Sequence, residues 1–315
     1  MRLAYLIIFG FIGFTGLNGQ QEQLYTQFMF NKMAINPAYA GNDNLFSMTA
    51  IHRNQWSGFK GAPETQLFSL NAPVGNRVGL GLNVARNTIG ISERLTVEGV
   101  YAYRFPVGHG NLSLGAQVSG RRLTVDYTDP SLFAINGLNG DLAIESQRMN
   151  KNIINFGAGI YYNTDNYYAG ISLPRLINSD IDFDNDLLKS EEILHLYFMG
   201  GFKLDLTPSI VLTPQVLVKM AQNSPSDLDF NLSLTFKNII TTGFTIRTGG
   251  SEDIVGESLD FIIGIQAGKN LLLSFAYDYT LSEIRDYENG SLEFLLNYRF
   301  TPRKQKIEST NPRYF

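Results

Sequence analysis

Asp180, Asp182, Asp184 and Asp186, with Glu191 at the twelfth position counted from Asp180, repeat the carboxylate spacing that surrounds a calcium ion in a helix–loop–helix site. The match is partial. Asn185 stands where the sharp turn needs Gly, Leu188 fills a ligand position, and the segment before Pro174 reads as a strand rather than a helix. A solvated acidic external loop fits these residues better, and no metal ligand is assigned. His52, His109 and His195 lack ligand spacing, and there is no cysteine to form a disulfide or a thiolate site. Gly79-Leu80-Gly81 and Gly157-Ala158-Gly159 lie within strand patterns with no helix after them, so they mark close backbone packing rather than a phosphate cradle. Nor does any nucleophile, base and orienting group form a defensible set. The chain reads as a non-enzyme that needs no cofactor.

The elements around these residues are strands. In the last of them Leu292, Phe294, Leu296, Tyr298 and Phe300 share one face, and Ser291, Glu293, Asn297 and Arg299 share the other, with Leu295 off pattern. Leu228 to Phe236 alternates in the same way against Asp229, Asn231, Ser233, Thr235 and Lys237, as do the segments around Phe198 and Phe275. About fourteen such segments follow one another from residue 45 to residue 300, an even number as expected of a single-chain bacterial barrel. Their links alternate between longer (57–64, 86–93, 126–152, 175–193, 222–226, 250–258, 281–290) and shorter (75–76, 108–110, 164–166, 207–208, around 238, 268–270). Sorting of loops by parity is the habit of outer-membrane barrels, with short periplasmic turns and longer extracellular loops. The expected fold is therefore all-β, a transmembrane antiparallel up-and-down β-barrel. Closure removes edges that lipid could not hydrogen-bond. Pro214 cannot donate to a ladder, so a bulge or local break is expected beside it. Tyr101, Tyr103, Phe105, Tyr298 and Phe300 fall where an aromatic girdle would lie.

Four segments result. Residues 1–19 read as a cleaved signal peptide, with a basic start at Arg2, an apolar run from Leu3 to Phe14 too short to span, and small residues before Gln20. Residues 20–44 are an N-terminal periplasmic or plug segment, 45–300 the barrel, and 301–315 a basic tail with Arg303, Lys304, Lys306 and Arg313. The whole chain carries 25 basic and 29 acidic residues; removal of Arg2 leaves 24 minus 29, or −5, which gives no reason to expect nucleic acid as a partner. In the N-terminal segment Phe28, Met29 and Phe30 need burial, either within the barrel or against a partner. Lumen charges, including Glu98, Arg104, Lys203, Asp229, Lys237, Asp278, Glu293 and Arg299, are solvated or pair across the bore. Trp56 is either an interface anchor or part of a loop folded inward with Arg53 and Gln55 as lumen partners.

Motifs along the chain point further. Gln27-Phe28-Met29-Phe30-Asn31, Asn36-Pro37-Ala38-Tyr39-Ala40-Gly41, Arg53-Asn54-Gln55-Trp56, Gly58-Phe59, Gly61-Ala62-Pro63, Asn155-Phe156-Gly157-Ala158-Gly159, Tyr168-Ala169-Gly170, and Ala276-Tyr277-Asp278-Tyr279 resemble the PorP/SprF family of type IX secretion outer-membrane proteins. Leu292 departs from the family pattern, where a His is expected. The resemblance implies a barrel in the outer membrane of a Gram-negative bacterium, in contact with its lipid. It further implies docking of periplasmic ring or motor-associated proteins, support of adhesins that carry a type IX C-terminal domain, and a link to gliding motility. Partner-binding or plug candidates are Gln27, Phe28, Met29, Phe30, Asn31, Asn36, Pro37, Ala38 and Gly41. Loop and lumen candidates are Arg53, Gln55, Trp56, Phe59, Pro63, Asp278, Glu293 and Arg299. A porin or transporter for small or apolar solutes is the alternative, since the fold alone does not choose.

Overall fold

A computed structural model describes residues 25–129, 147–180, 191–221, 226–249 and 256–300. The period-two segments become β1 (Phe46–Asn54), β2 (Glu64–Val74), β3 (Val78–Ile89), β4 (Ser92–Val107), β5 (Gly110–Asp126), β6 (Arg148–Asn163) and β7 (Tyr167–Leu173). A two-residue pair, β8 (Ser179–Asp180) and β9 (Glu191–Glu192), forms a separate small sheet. The wall resumes with β10 (His195–Phe202), β11 (Leu204–Thr207), β12 (Ile210–Ala221), β13 (Asp227–Phe236), β14 (Ile240–Thr248), β15 (Ser258–Ala267), β16 (Leu271–Thr280) and β17 (Ser291–Phe300).

Each wall strand pairs antiparallel with its sequence neighbour, and β1 closes on β17 with Phe46 opposite Phe300 and Arg53 opposite Glu293. Since β11 continues β10 past Lys203, the barrel has 14 strands. Closure leaves every strand two neighbours, which is what a bilayer requires of a sheet. Outward faces carry exposed Phe68, Tyr101, Ile154, Phe198, Phe230, Phe261 and Phe294, while the alternate positions are buried and mostly polar. Aromatic contacts gather at the short-turn end: Phe46 with Phe300, Tyr103 with Phe105, and Tyr167 with Phe202.

Two link expectations need correction. Residues 86–93 are not a long loop, because β3 runs to Ile89 and β4 starts at Ser92, with Gly90 (φ 55°) making a tight hairpin. Lys237 is not a lumen charge; it sits exposed in the turn after β13 with φ 49°. Beside Pro214 the ladder breaks on one side only. Pairing of β12 to β10 stops at Gly201↔Gln215 and resumes to β11 at Leu204↔Leu212, while Pro214 keeps register with Leu232 of β13. The missing N–H is thus accommodated by a gap on the β10 side.

The acidic motif lies mostly outside the described residues. Asp182, Asp184 and Asp186 lie outside, and Asp180 and Glu191 are backbone partners in the β8–β9 pair. Residues 1–24 and 301–315, with the signal segment and the basic tail, are also outside.

Candidate functional site: the lumen and the segment within it

Residues 25–44 run inside the barrel as three short 3₁₀ turns, Phe28–Phe30, Lys32–Ala34 and Pro37–Tyr39. The third is specified locally. Asn36 caps it, its Oδ1 accepting from the Ala38 N–H at 2.9 Å, and Pro37 supplies the fixed φ of a first helical position. The same Asn36 amide donates to the carbonyls of Ile160 (3.0 Å) and Ile171 (3.2 Å) on β6 and β7, tying the turn to the wall.

Apolar side chains decide where the segment rests. Phe28, Met29, Met33, Ile35, Ala38, Tyr39 and Ala40 are buried against Val100, Ala102, Tyr161, Tyr168, Met199 and Leu217 of the wall. Tyr25, Phe30 and Ala34 pack on a second seat of Ile51, Leu67, Ala85, Leu272 and Leu295. Burial of each large side chain contributes about 1.5–3 kcal/mol. Wall glycines let the backbone approach: a Cβ at Gly79 would overlap the Ala40 carbonyl, and one at Gly115 would overlap Pro37 and Ala38. Gly81 and Gly159 give the same clearance to Met33 and Asn36. Lys32, 1% exposed, places its Nζ 3.8 Å from the centroid of the Tyr168 ring, a buried cation–π contact.

Polar clamps hold both ends. At the upper end Glu293 accepts from the Thr26 and Gln27 N–H groups at 2.9 and 3.0 Å, and the Thr26 hydroxyl donates to Asp278 at 2.7 Å. Arg53 joins them, 2.7 Å from Asp278 and 3.4 Å from Glu293. The network continues around the wall through Arg247, paired with Asp229 at 2.8 Å and near Asp260 and Asp278 at 3.5 and 3.7 Å, and Lys219 reaches Asp229 at 3.2 Å. At the short-turn end the Gly41 N–H donates to Asn71 at 2.6 Å, Arg104 donates to Asn44 at 2.8 Å and to the Gly41 carbonyl, and Asp43 accepts from Tyr39 at 2.6 Å. Arg299 stands 3.8 Å from Asp43.

A second inward element covers the upper lumen beside β5 and β6. After β7 the chain turns in: Pro174 accepts from Gln117 at 3.0 Å, and Arg175 pairs with Glu192 at 3.1 Å. Glu192 also pairs with Arg121 and accepts from Asn155 at 3.0 Å. Between the two elements lies a cavity of about 50 Å³ bordered by Tyr25, Glu98, Arg175 and Lys219, room for a few waters.

All nine N-terminal candidates, Gln27, Phe28, Met29, Phe30, Asn31, Asn36, Pro37, Ala38 and Gly41, therefore lie within the bore. Arg53, Asp278, Glu293 and Arg299 face it as well. Gln55, Trp56, Phe59 and Pro63 do not join them. Their loop rests on the loop before β17, through Ser57 N–H to the Gly290 carbonyl and Asn289 N–H to the Ser57 carbonyl, both 2.8 Å. Trp56 is half-buried at φ 52°, its N–H donating to Ser291 at 3.1 Å, and Phe59 is exposed. The residues that turn inward are instead Pro174, Arg175 and Glu192 after β7, at the ends of a segment that reads in the sequence as a solvated external loop. Sequence reasoning also missed Thr26, Lys32, Asn71, Arg121, Arg175, Glu192, Arg247 and Asp260. One signal was present: Ile51, Leu67, Leu272 and Leu295 are apolar on otherwise polar faces, and they form the second seat.

The fold and its filled bore define a class, the outer-membrane β-barrels with an internal segment in the lumen. Within that class, residues 17–298 match the family described as type IX secretion system membrane protein PorP/SprF, and the chain belongs to that family. No curated protein matches the sequence significantly. Among solved structures, the CymD monoaromatic hydrocarbon channel superposes with a TM-score of 0.50 at 10% identity, over 90% of this chain and 95% of that one. Omp33 of Acinetobacter baumannii gives 0.45 at 9% identity, over 82% and 100%. A FadL homologue of Pseudomonas aeruginosa gives 0.46 at 11%, over 87% and 94%. The likeness to CymD is one of fold alone.

Proposed function

We propose that this type IX secretion barrel is a closed docking component rather than a solute channel. It holds periplasmic ring or motor-associated proteins, or the C-terminal domain of a secreted adhesin, at the outer membrane, and through the adhesin supports gliding. The export signal of residues 1–19 is removed, residues 20–44 are a resident plug, residues 45–300 are the wall, and the basic tail of residues 301–315 faces the periplasm. One observation carries this reading: the bore is filled by residues 25–44, anchored at both ends and along two apolar seats. A porin would need that volume as water. The family supplies the secretion context, and the filled lumen supplies the reason to look for function on surfaces outside the bore.

The test is genetic. A strain lacking the barrel should retain proteins with a type IX C-terminal domain inside the cell or release them unanchored, and re-expression should restore their surface display. Unchanged display together with loss of uptake of a small solute would reverse the reading in favour of a channel.

A further inference from the structure

The turns at the short-turn end all lie within the described residues, and their charge is not spread evenly around the rim. Along the strand order β3-β2-β1-β17-β16-β15-β14-β13, the β2–β3 turn carries Arg77, the β15–β16 turn Lys269 and the β13–β14 turn Lys237, one cation to each and no carboxylate. All three are exposed, and among the described residues no carboxylate pairs with any of them. The Arg77 guanidinium reaches only the Tyr103 hydroxyl, at 3.4 Å. The rest of the rim differs: the β4–β5 turn holds His109, the β6–β7 turn holds Asp165, and Asp205 of β11 stands 3.9 Å from Lys203. β17 ends at Phe300, between the Arg77 and Lys269 turns, and the sequence after it adds Arg303, Lys304, Lys306 and Arg313 against Glu308. That segment has the same sign as the arc and is not its counterpart. The long-loop end has the opposite balance, since the loop before β17 holds Glu283, Asp286 and Glu288 against Arg285.

Lys237 and Lys269 stand beyond the last ladder pairs, Phe236↔Ile240 and Ala267↔Leu271. Exposed Phe236, with Phe46 and Phe300, marks the membrane boundary at the strand ends, so these cations lie on its watery side. A row of unpaired like charges raises the local potential and draws a surface of opposite sign. We propose that this arc seats the acidic face of a soluble periplasmic protein, held by charge complementarity at the mouth of the barrel. The inference rests on the docking reading above and gives its periplasmic side a location.

The distinguishing variant combines Arg77→Glu, Lys237→Glu and Lys269→Glu, and its control combines Lys60→Glu and Arg285→Glu at the opposite end. All five positions are exposed and outside the ladders, and folding of each variant is checked by heat-modifiable gel mobility. The full barrel in phosphatidylcholine nanodiscs is titrated with a purified periplasmic ring protein of the same secretion system. The expected result is equal binding by wild type and control, weakening by about tenfold in the triple variant, and a fall in wild-type affinity as salt is raised. Equal binding by wild type and the triple variant would overturn this location and leave the docking reading standing. Equal losses in the triple variant and the control would also overturn it, since net charge rather than the arc would then govern binding. If phosphatidylglycerol in the nanodisc raises the unfolding midpoint of the wild type but not of the triple variant, while both bind the ring protein alike, the arc belongs to lipid phosphates and the proposal falls. Failure of the wild type to bind the ring protein would overturn periplasmic docking and this site with it.

Discussion

Excision of residues 25–43 should convert a silent barrel into an open channel. In planar bilayers the intact protein is expected to give no sustained conductance, and the excised variant to give long-lived open steps. Wall size sets the expectation. Eight strands leave a bore that side chains fill, sixteen to eighteen leave a water channel, and the bore here, with 14 strands, is filled by chain rather than by wall side chains. The ladder that closes the wall does not pass through the excised residues, so closure by β1 on β17 and β10 on β12 survives their removal. Exposure of the two apolar seats to water should lower the unfolding midpoint at the same time. Equal conductance from the intact protein would show that the segment does not seal the bore.

Arg53→Met should be the most damaging single substitution in the lumen. Its guanidinium sits between Asp278 and Glu293, with 3%, 2% and 0% side-chain exposure for the three. Removal leaves carboxylates buried with one cation fewer, and Glu293 still has to accept the Thr26 and Gln27 N–H groups. Loss of one partner of such a pair costs about 3–5 kcal/mol, whereas replacing the whole set by apolar groups of similar volume is far milder. Urea unfolding of the folded barrel in lipid should show that loss, and Glu293→Gln added to Arg53→Met should recover part of it, because the second change removes the stranded charge. A loss below about 1 kcal/mol would place the cluster in contact with water and remove its role as the upper clamp.

The barrel was legible because its physics is local. Period-two alternation and loop parity are properties of short windows, and residues such as Phe294 and Glu293 declare their faces without reference to anything distant. Where a strand continues through a tight turn, as at Gly90, polarity alone misplaced the end. The interior was less legible because it depends on contacts across the bore. Arg247 stands out only once three strands bring Asp229, Asp260 and Asp278 around it. Asn36 caps the third turn, but its wall partners are backbone carbonyls of Ile160 and Ile171, which no side-chain pattern reveals. Leu295 is the instructive case. As a break in alternation it looked like noise, and it is apolar because Tyr25, Phe30 and Ala34 cover that part of the wall. Apolar exceptions on a polar lumen face are the sequence trace of a plug.

The most direct test of the docking account is identification of what the barrel holds. Outer membranes are solubilised gently after mild crosslinking in cells, a tagged barrel is purified, and everything bound is identified by mass spectrometry against an untagged control. The account predicts enrichment of type IX secretion components: periplasmic ring proteins if the barrel serves the general apparatus, one adhesin C-terminal domain if it serves a single cargo. Recovery of the barrel alone, from cells in which type IX secretion is active, would contradict it.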